Sequence, residues 1–212
     1  MSFLSDYPQL KIIQGIAKQK KVSAYLVGGF LRDFQLGVKK EDFDFAVKKN
    51  ALGVARLFSK KIKGAYVLLD AKRGCARVVK RINGKLHTYD FADFRAKTFN
   101  QDLAHRDFTI NTLSLDLSKL RDTTEVPEIL LDPKKGLKDI KEKRIKRTSV
   151  HVFKEDPLRM MRAFSLKAVL GFKIELKTLN QIRKEKDSIG SVSYERIREE
   201  LFKILESDKA AQ

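Results

Sequence analysis

Apolar positions recur at helical spacing over residues 8–20, where Leu10, Ile13, Ile16 and Ala17 share one face and predict a helix. The apolar run 22–27 predicts a strand that Gly28-Gly29 breaks, and FLRDFQLG (30–37) predicts a short helix stopped by Gly37. DFDFAV (42–47) alternates acids with aromatics as a strand does, and Asn50 then caps a helix with Val54, Leu57, Phe58 and Ile62 on one face. AYVLLD (65–70) is a further strand. Residues 75–94 predict a hairpin, because Asn83-Gly84 supplies the positive φ angles of a type I′ turn. Residues 107–117 begin without a clear period and end in the alternation Leu113, Leu115, Leu117, which predicts one more strand. The first part is thus an α+β unit built on a mixed sheet of about five strands with flanking helices.

The pattern changes after Pro133. KKGLKDIKEKRIKR (134–147) holds eight basic and two acidic residues, and from Asp156 onward the periodicity is helical throughout. Pro157 suits a first helical position, Gly171 ends that helix, and Thr178 and Ser193 are expected to cap two more. In the last helix Ile197, Leu201, Ile204 and Leu205 form an apolar stripe expected to face a core. These shifts divide the chain near residue 147, into a sheet-based domain (1–147) and an all-helical one (148–212).

Composition narrows the partner. Lys and Arg number 45 against 27 acids, a net charge of +18; neutralising phosphates releases counterions, so this excess favours a polyanion. No run approaches the roughly 20 apolar residues of a spanning helix, and Asp6 and Lys11 interrupt the N-terminus too early for a secretory signal. One cysteine, Cys75, excludes an internal disulfide and makes a reducing cytoplasm the expectation. His87, His105 and His151 make no zinc pattern. The basic run 134–147 is either an RNA-backbone contact or a solvated face.

The chemistry gathers in VGGFLRDFQLGVKKEDFDFAV (27–47). Strand alternation sends Phe43 and Phe45 into the packed face and Asp42 and Asp44 together to the other. Two carboxylates so placed suit a pair of divalent cations, with Mg²⁺ the natural choice at phosphates. Gly28 and Gly29 let backbone approach a phosphate closely, and Arg32 is placed to meet a triphosphate oxygen, with Asp33 either orienting it or joining the metal cluster. A lone acid pair is as often a solvated strand face; glycine pair, arginine and acids in this order are far more specific.

GGFLRD with DFDFAV resembles motif A of the class II tRNA nucleotidyltransferases (CCA-adding enzymes) and bacterial poly(A) polymerases, within the polymerase-β-like nucleotidyltransferase superfamily. HRDFTINTLSLD (105–116), LLDPKKGLKDI (130–140), EDPLRMMRA (155–163) and SYERIREEL (193–201) are similar to motifs B to E, in family order from about residue 22 to 205. The resemblance implies a nucleotidyltransferase head followed by a helical neck without the family's body and tail domains, as either a head-and-neck fragment or an unusually short protein. It further implies that Arg106 and Asp107 contact ribose and phosphates and that Asp156 and Arg159 read the base. An acid accepting from an amino group and an arginine donating to a ring nitrogen fit cytosine and adenine alike; guanine and uracil present the reverse pattern. As a plain N-cap, Asp156 has an equally good local reading. Asp90 on the hairpin is a candidate third carboxylate or a water-facing edge residue. Asn111 and Arg162, within motifs B and D, are further candidates. For Asp132, Gly136 and Asp139 of motif C the resemblance implies a hinge or a metal-proximal brace, a charged loop being the local alternative; Glu195 and Arg196 imply a buttress of the helices, and His105, standing where the family has arginine, a peripheral position.

The expected activity is template-independent addition of C, A or both from CTP and ATP to a tRNA 3′ end, by attack of the 3′-hydroxyl on the α-phosphorus with release of pyrophosphate. The alternatives are poly(A) synthesis or an inactive RNA-binding relative. The segment between DFDFAV and HRDFTINTLSLD, including residues 92–103, is short beside family members with a longer loop there, which leaves CCA, CC, A and poly(A) products all open. Weak tRNA binding with nucleotide binding retained is expected of these 212 residues.

Overall fold

The computed structural model describes residues 3–121 and 129–207. In chain order it contains α1 (Phe3–Asp6), α2 (Gln9–Lys20), β1 (Ala24–Val27), α3 (Gly29–Gln35), β2 (Asp42–Val47), α4 (Ala51–Ile62), β3 (Ala65–Asp70), β4 (Cys75–Ile82), β5 (Lys85–Asp93) and α5 (Phe99–Ala104). Then follow β6 (Ser114–Asp116), β7 (Leu130–Leu131), α6 (Gly136–Lys141), β8 (Arg144–Ile145), α7 (Val152–Glu155), α8 (Leu158–Leu170), β9 (Lys173–Ile174), α9 (Leu176–Glu185) and α10 (Tyr194–Leu205). By compactness the chain forms two units, residues 1–102 with 111–133, and residues 103–110 with 134–212. The helical unit thereby takes in 103–110 and 134–147, which the periodicity had grouped with the sheet.

The first unit is built on a seven-stranded sheet in the order β3-β4-β5-β2-β1-β6-β7. Only β2 and β5 run parallel; the other pairs are antiparallel. The sheet exceeds the expected five strands partly through β7, whose two residues are too few to show a period. Asn50 adopts a left-handed conformation and its side chain accepts from the Gly53 amide, capping α4. Asn83 and Gly84 both have positive φ, as the type I′ turn demands.

Phe43 and Phe45 are each 2% exposed. Phe43 stacks on Tyr89 at 5.2 Å and Phe45 on Phe91 at 4.9 Å, while Phe58 of α4 packs against Tyr89. Each buried ring contributes about 2–3 kcal/mol. Together they fix which face β2 turns outward.

In the second unit α8 and α10 pack along one another, and β8 and β9 form a short parallel pair. Pro157 directly precedes α8 and Gly171 ends it. Two expectations need correction. Thr178 lies inside α9, where its hydroxyl donates to Glu175 and accepts from the Arg147 amide; Glu175 is the capping position. The expected apolar stripe of α10 is only partly covered, since Ile197 and Ile204 are half-buried while Leu201 and Leu205 are exposed, and the buried residue of the helix is Glu200, 3% exposed. The carboxylate of Glu200 meets Arg162, Ser165 and Lys203, and those contacts turn the helix.

Candidate functional site

Burial of Phe43 and Phe45 leaves Asp42 and Asp44 side by side on the exposed face of β2. The Thr88 hydroxyl donates to Asp42 Oδ1 from the neighbouring strand. Gly28 stands beside them with φ 86°, and a Cβ there would come within 2.7 Å of Asp44 Oδ2. Its amide donates to the Leu113 carbonyl at 3.3 Å, so Gly28 serves by its missing side chain rather than as a phosphate donor. Gly29 opens α3.

Arg32 is gripped by Asp33, with Nε and Nη2 donating to the two carboxylate oxygens at 2.8 and 2.9 Å. Its Nη1 donates to Asn111 Oδ1 at 2.7 Å, which ties motif A to motif B. Asp33 therefore orients Arg32. Asp90 lies next to Asp44 in the parallel pair and directly opposite Arg77 on β4. Arg77 Nε and Nη2 donate to both Asp90 oxygens, each at 2.7 Å. The hydrogen bond to Asp90 is the main cause that raises the Arg77 pKa; burial opposes it, and the charges of Asp90, Asp42 and Asp44 reinforce it. Arg77 and Thr88 were not singled out from sequence. A signal for Arg77 existed, because a two-residue turn at 83–84 already sets 77 opposite 90.

The donor set suits a hard divalent cation, being carboxylate oxygen alone, exposed, and beside a glycine that keeps the approach clear. Among the described residues no group of three or more His, Cys, Asp or Glu converges as a metal site. Asp42 and Asp44 are the candidate ligand pair, which water and phosphate would complete around an ion such as Mg²⁺.

The second unit holds the other candidates. Asp107 is buried, accepts from the Phe108 amide at 2.7 Å and from Arg162 Nε at 3.0 Å. The Arg106 carbonyl accepts from the Thr148 hydroxyl. Arg159, 6% exposed, donates to the Val152 carbonyl at 3.0 Å, Glu155 Oε2 at 3.3 Å and the His105 carbonyl at 2.6 Å. Asp156 accepts from the Leu158 amide at 3.2 Å and from Arg196 Nη2 at 2.8 Å. It is both cap and ion-pair partner. The His105 ring meets Glu155 Oε1 at 2.9 Å. Asp139 is buried between the Thr109 hydroxyl and Arg144, a brace within this unit. Glu200 went unnoticed in the sequence because nothing local distinguishes it from the exposed acids of the same helix.

A family model described as the poly A polymerase head domain matches residues 24–146, and one described as a probable RNA and SrmB-binding site of polymerase A matches 171–212. The chain is 35% identical over 206 residues to the CC-adding tRNA nucleotidyltransferase of Geobacter sulfurreducens, covering 97% of this chain and 45% of that one. A CCA-adding enzyme solved with ATP superposes with a TM-score of 0.80 at 28% identity, over 97% of this chain and 49% of that one. The Thermotoga maritima CCA-adding enzyme complexed with tRNA-CCA superposes with a TM-score of 0.78 at 30% identity, over 95% and 47%. The chain spans about half the length of the curated relatives it matches.

Proposed function

The chain belongs to the family of the poly A polymerase head domain, and from that membership we propose that it is a template-independent RNA nucleotidyltransferase adding C, A or both to tRNA 3′ ends. The observation that carries this reading is the pair Asp42 and Asp44, presented together on one exposed strand face beside Gly28 while Phe43 and Phe45 anchor the strand beneath. Relatives at 30–35% identity comprise CC-adding, CCA-adding and A-adding enzymes, which supports CTP and ATP as the substrates and tRNA as the acceptor.

In this reading Asp42 and Asp44 hold Mg²⁺. The bound ions supply activation of the attacking hydroxyl and neutralisation of the leaving pyrophosphate. Thr88 fixes the Asp42 carboxylate so that this ligand is oriented before substrate arrives. Gly28 and Gly29 admit the triphosphate close to the backbone, and Arg32, aimed by Asp33 and Asn111, binds a phosphate oxygen. Arg106 and Asp107 hold phosphate and ribose, with Arg162 orienting the Asp107 carboxylate. Asp156 and Arg159 select the base. An entering cytosine or adenine takes the place of Arg196 on Asp156 and of the His105 carbonyl on Arg159, so those contacts stand in for the base. We assign the catalytic head to 1–147 and the base-reading neck to 148–212. A single cysteine supports work in a reducing cytoplasm; among the described residues no helix is long and apolar enough to cross a membrane.

The test is incubation of the chain with labelled CTP or ATP, separately, and tRNAs ending before or within CCA, with products sized on a gel. Magnesium-dependent extension that Asp42→Ala reduces by at least about 10²–10³-fold, with RNA binding retained, is expected. Equal extension by the variant overturns the reading.

A further inference from the structure

Arg77, Asp90 and Asp44 form one row across three adjacent strands, β4, β5 and β2. The arginine therefore stands two strands from the proposed metal pair with Asp90 between. Both Asp90 oxygens are engaged by the planar fork of Arg77 at 2.7 Å. Such a bidentate arrangement is geometrically specific, so the carboxylate is turned toward β4 and sits beside a fixed positive charge. Asp42 differs in kind, since its partner is a neutral hydroxyl. Consistent with this, Asp90 does not converge with Asp42 and Asp44 into a three-carboxylate group.

We infer that Arg77 is a positioning residue that keeps Asp90 out of the metal ligand set, leaving the centre to two carboxylates and lowering its affinity for divalent cations. The inference rests on the reading of Asp42 and Asp44 as metal ligands. Its chemistry is competitive: a cation reaches Asp90 only by displacing the guanidinium, and until then the Arg77 charge opposes cations nearby. The hairpin turn enforces the contact, because Asn83-Gly84 with the pair Ile82 and Lys85 sets the register that brings 77 opposite 90.

Mn²⁺ binding to the whole 212-residue chain without nucleotide, read by electron spin resonance or water-proton relaxation, tests this. Arg77 and Asp90 side chains are 43% and 30% exposed, so their variants are expected to fold, with circular dichroism as the check. Asp90→Asn alone is expected to change Mn²⁺ affinity by less than about twofold, and Arg77→Gln to strengthen it about fivefold. Arg77→Lys, which keeps charge but not the fork, is expected to fall between, and the gain to vanish in Arg77→Gln/Asp90→Asn. A tenfold loss with Asp90→Asn alone, or a gain that survives in the double variant, overturns this inference and leaves the metal reading standing. Mn²⁺ binding indifferent to Asp42→Asn overturns the metal reading itself, and this inference with it.

Discussion

Gly28 combines a positive φ with a missing side chain, and both matter. A Cβ would meet Asp44 Oδ2 at 2.7 Å on a backbone that L residues rarely adopt. Gly28→Ala is therefore expected to cost about 1–3 kcal/mol of stability, read by urea denaturation, and to weaken ATP binding at the same time. Tyr89 makes a contrasting case. It is fully buried, its hydroxyl has no hydrogen-bond partner among the described residues, and burial pushes its pKa up to about 12 from 10.0. The folded chain thus keeps this proton at pH values where the unfolded chain has lost it. Stability from Tyr89 is full below about pH 10 and falls through pH 12, by about 2–3 kcal/mol in all. Tyr89→Phe is expected to remove that alkaline loss and to leave neutral stability unchanged or slightly raised; melts on both sides of pH 10 decide it.

Among elements, the hairpin β4–β5 and the helix α10 show opposite behaviour. The hairpin register follows from two turn residues, and with it the Arg77–Asp90 pair. Gly84→Val places a branched residue at φ 79° and is expected to cost about 1–3 kcal/mol. It should also loosen Asp90, visible as altered Mn²⁺ binding. Helix α10 instead takes its rotation from distant partners. Glu200 is held by Arg162 and Ser165 of α8 and by Lys203, and this leaves Leu201, Phe202 and Leu205 exposed. Glu200→Ala strips the half-buried Arg162 of one acid and is expected to destabilise by about 1–3 kcal/mol. Arg162 keeps Asp107, so nucleotide affinity should fall less than stability.

At the scale of the molecule, under the proposed function the net charge of +18 is expected to govern the encounter with RNA. Binding of tRNA to this chain is expected to be micromolar, and to weaken at least tenfold between about 50 and 200 mM salt, as counterion release requires. Affinity indifferent to salt would remove the electrostatic account. The nucleotide contacts proposed above are local to small groups of residues in each unit, so ATP binding should vary far less over the same range.

Local signals carried much of this protein into view. The Asn50 cap, the type I′ turn, the outward pair Asp42 and Asp44 and the inward Phe43 and Phe45 all depend on neighbours a few residues away, whose spacing is written in the chain. The parallel pairing of β2 with β5, the grip of Thr88 on Asp42, the seat of Arg159 against the His105 carbonyl and the burial of Glu200 were settled only by tertiary structure. Each joins groups more than thirty residues apart, and a side chain's spacing along the chain says nothing of a partner that only folding brings within reach.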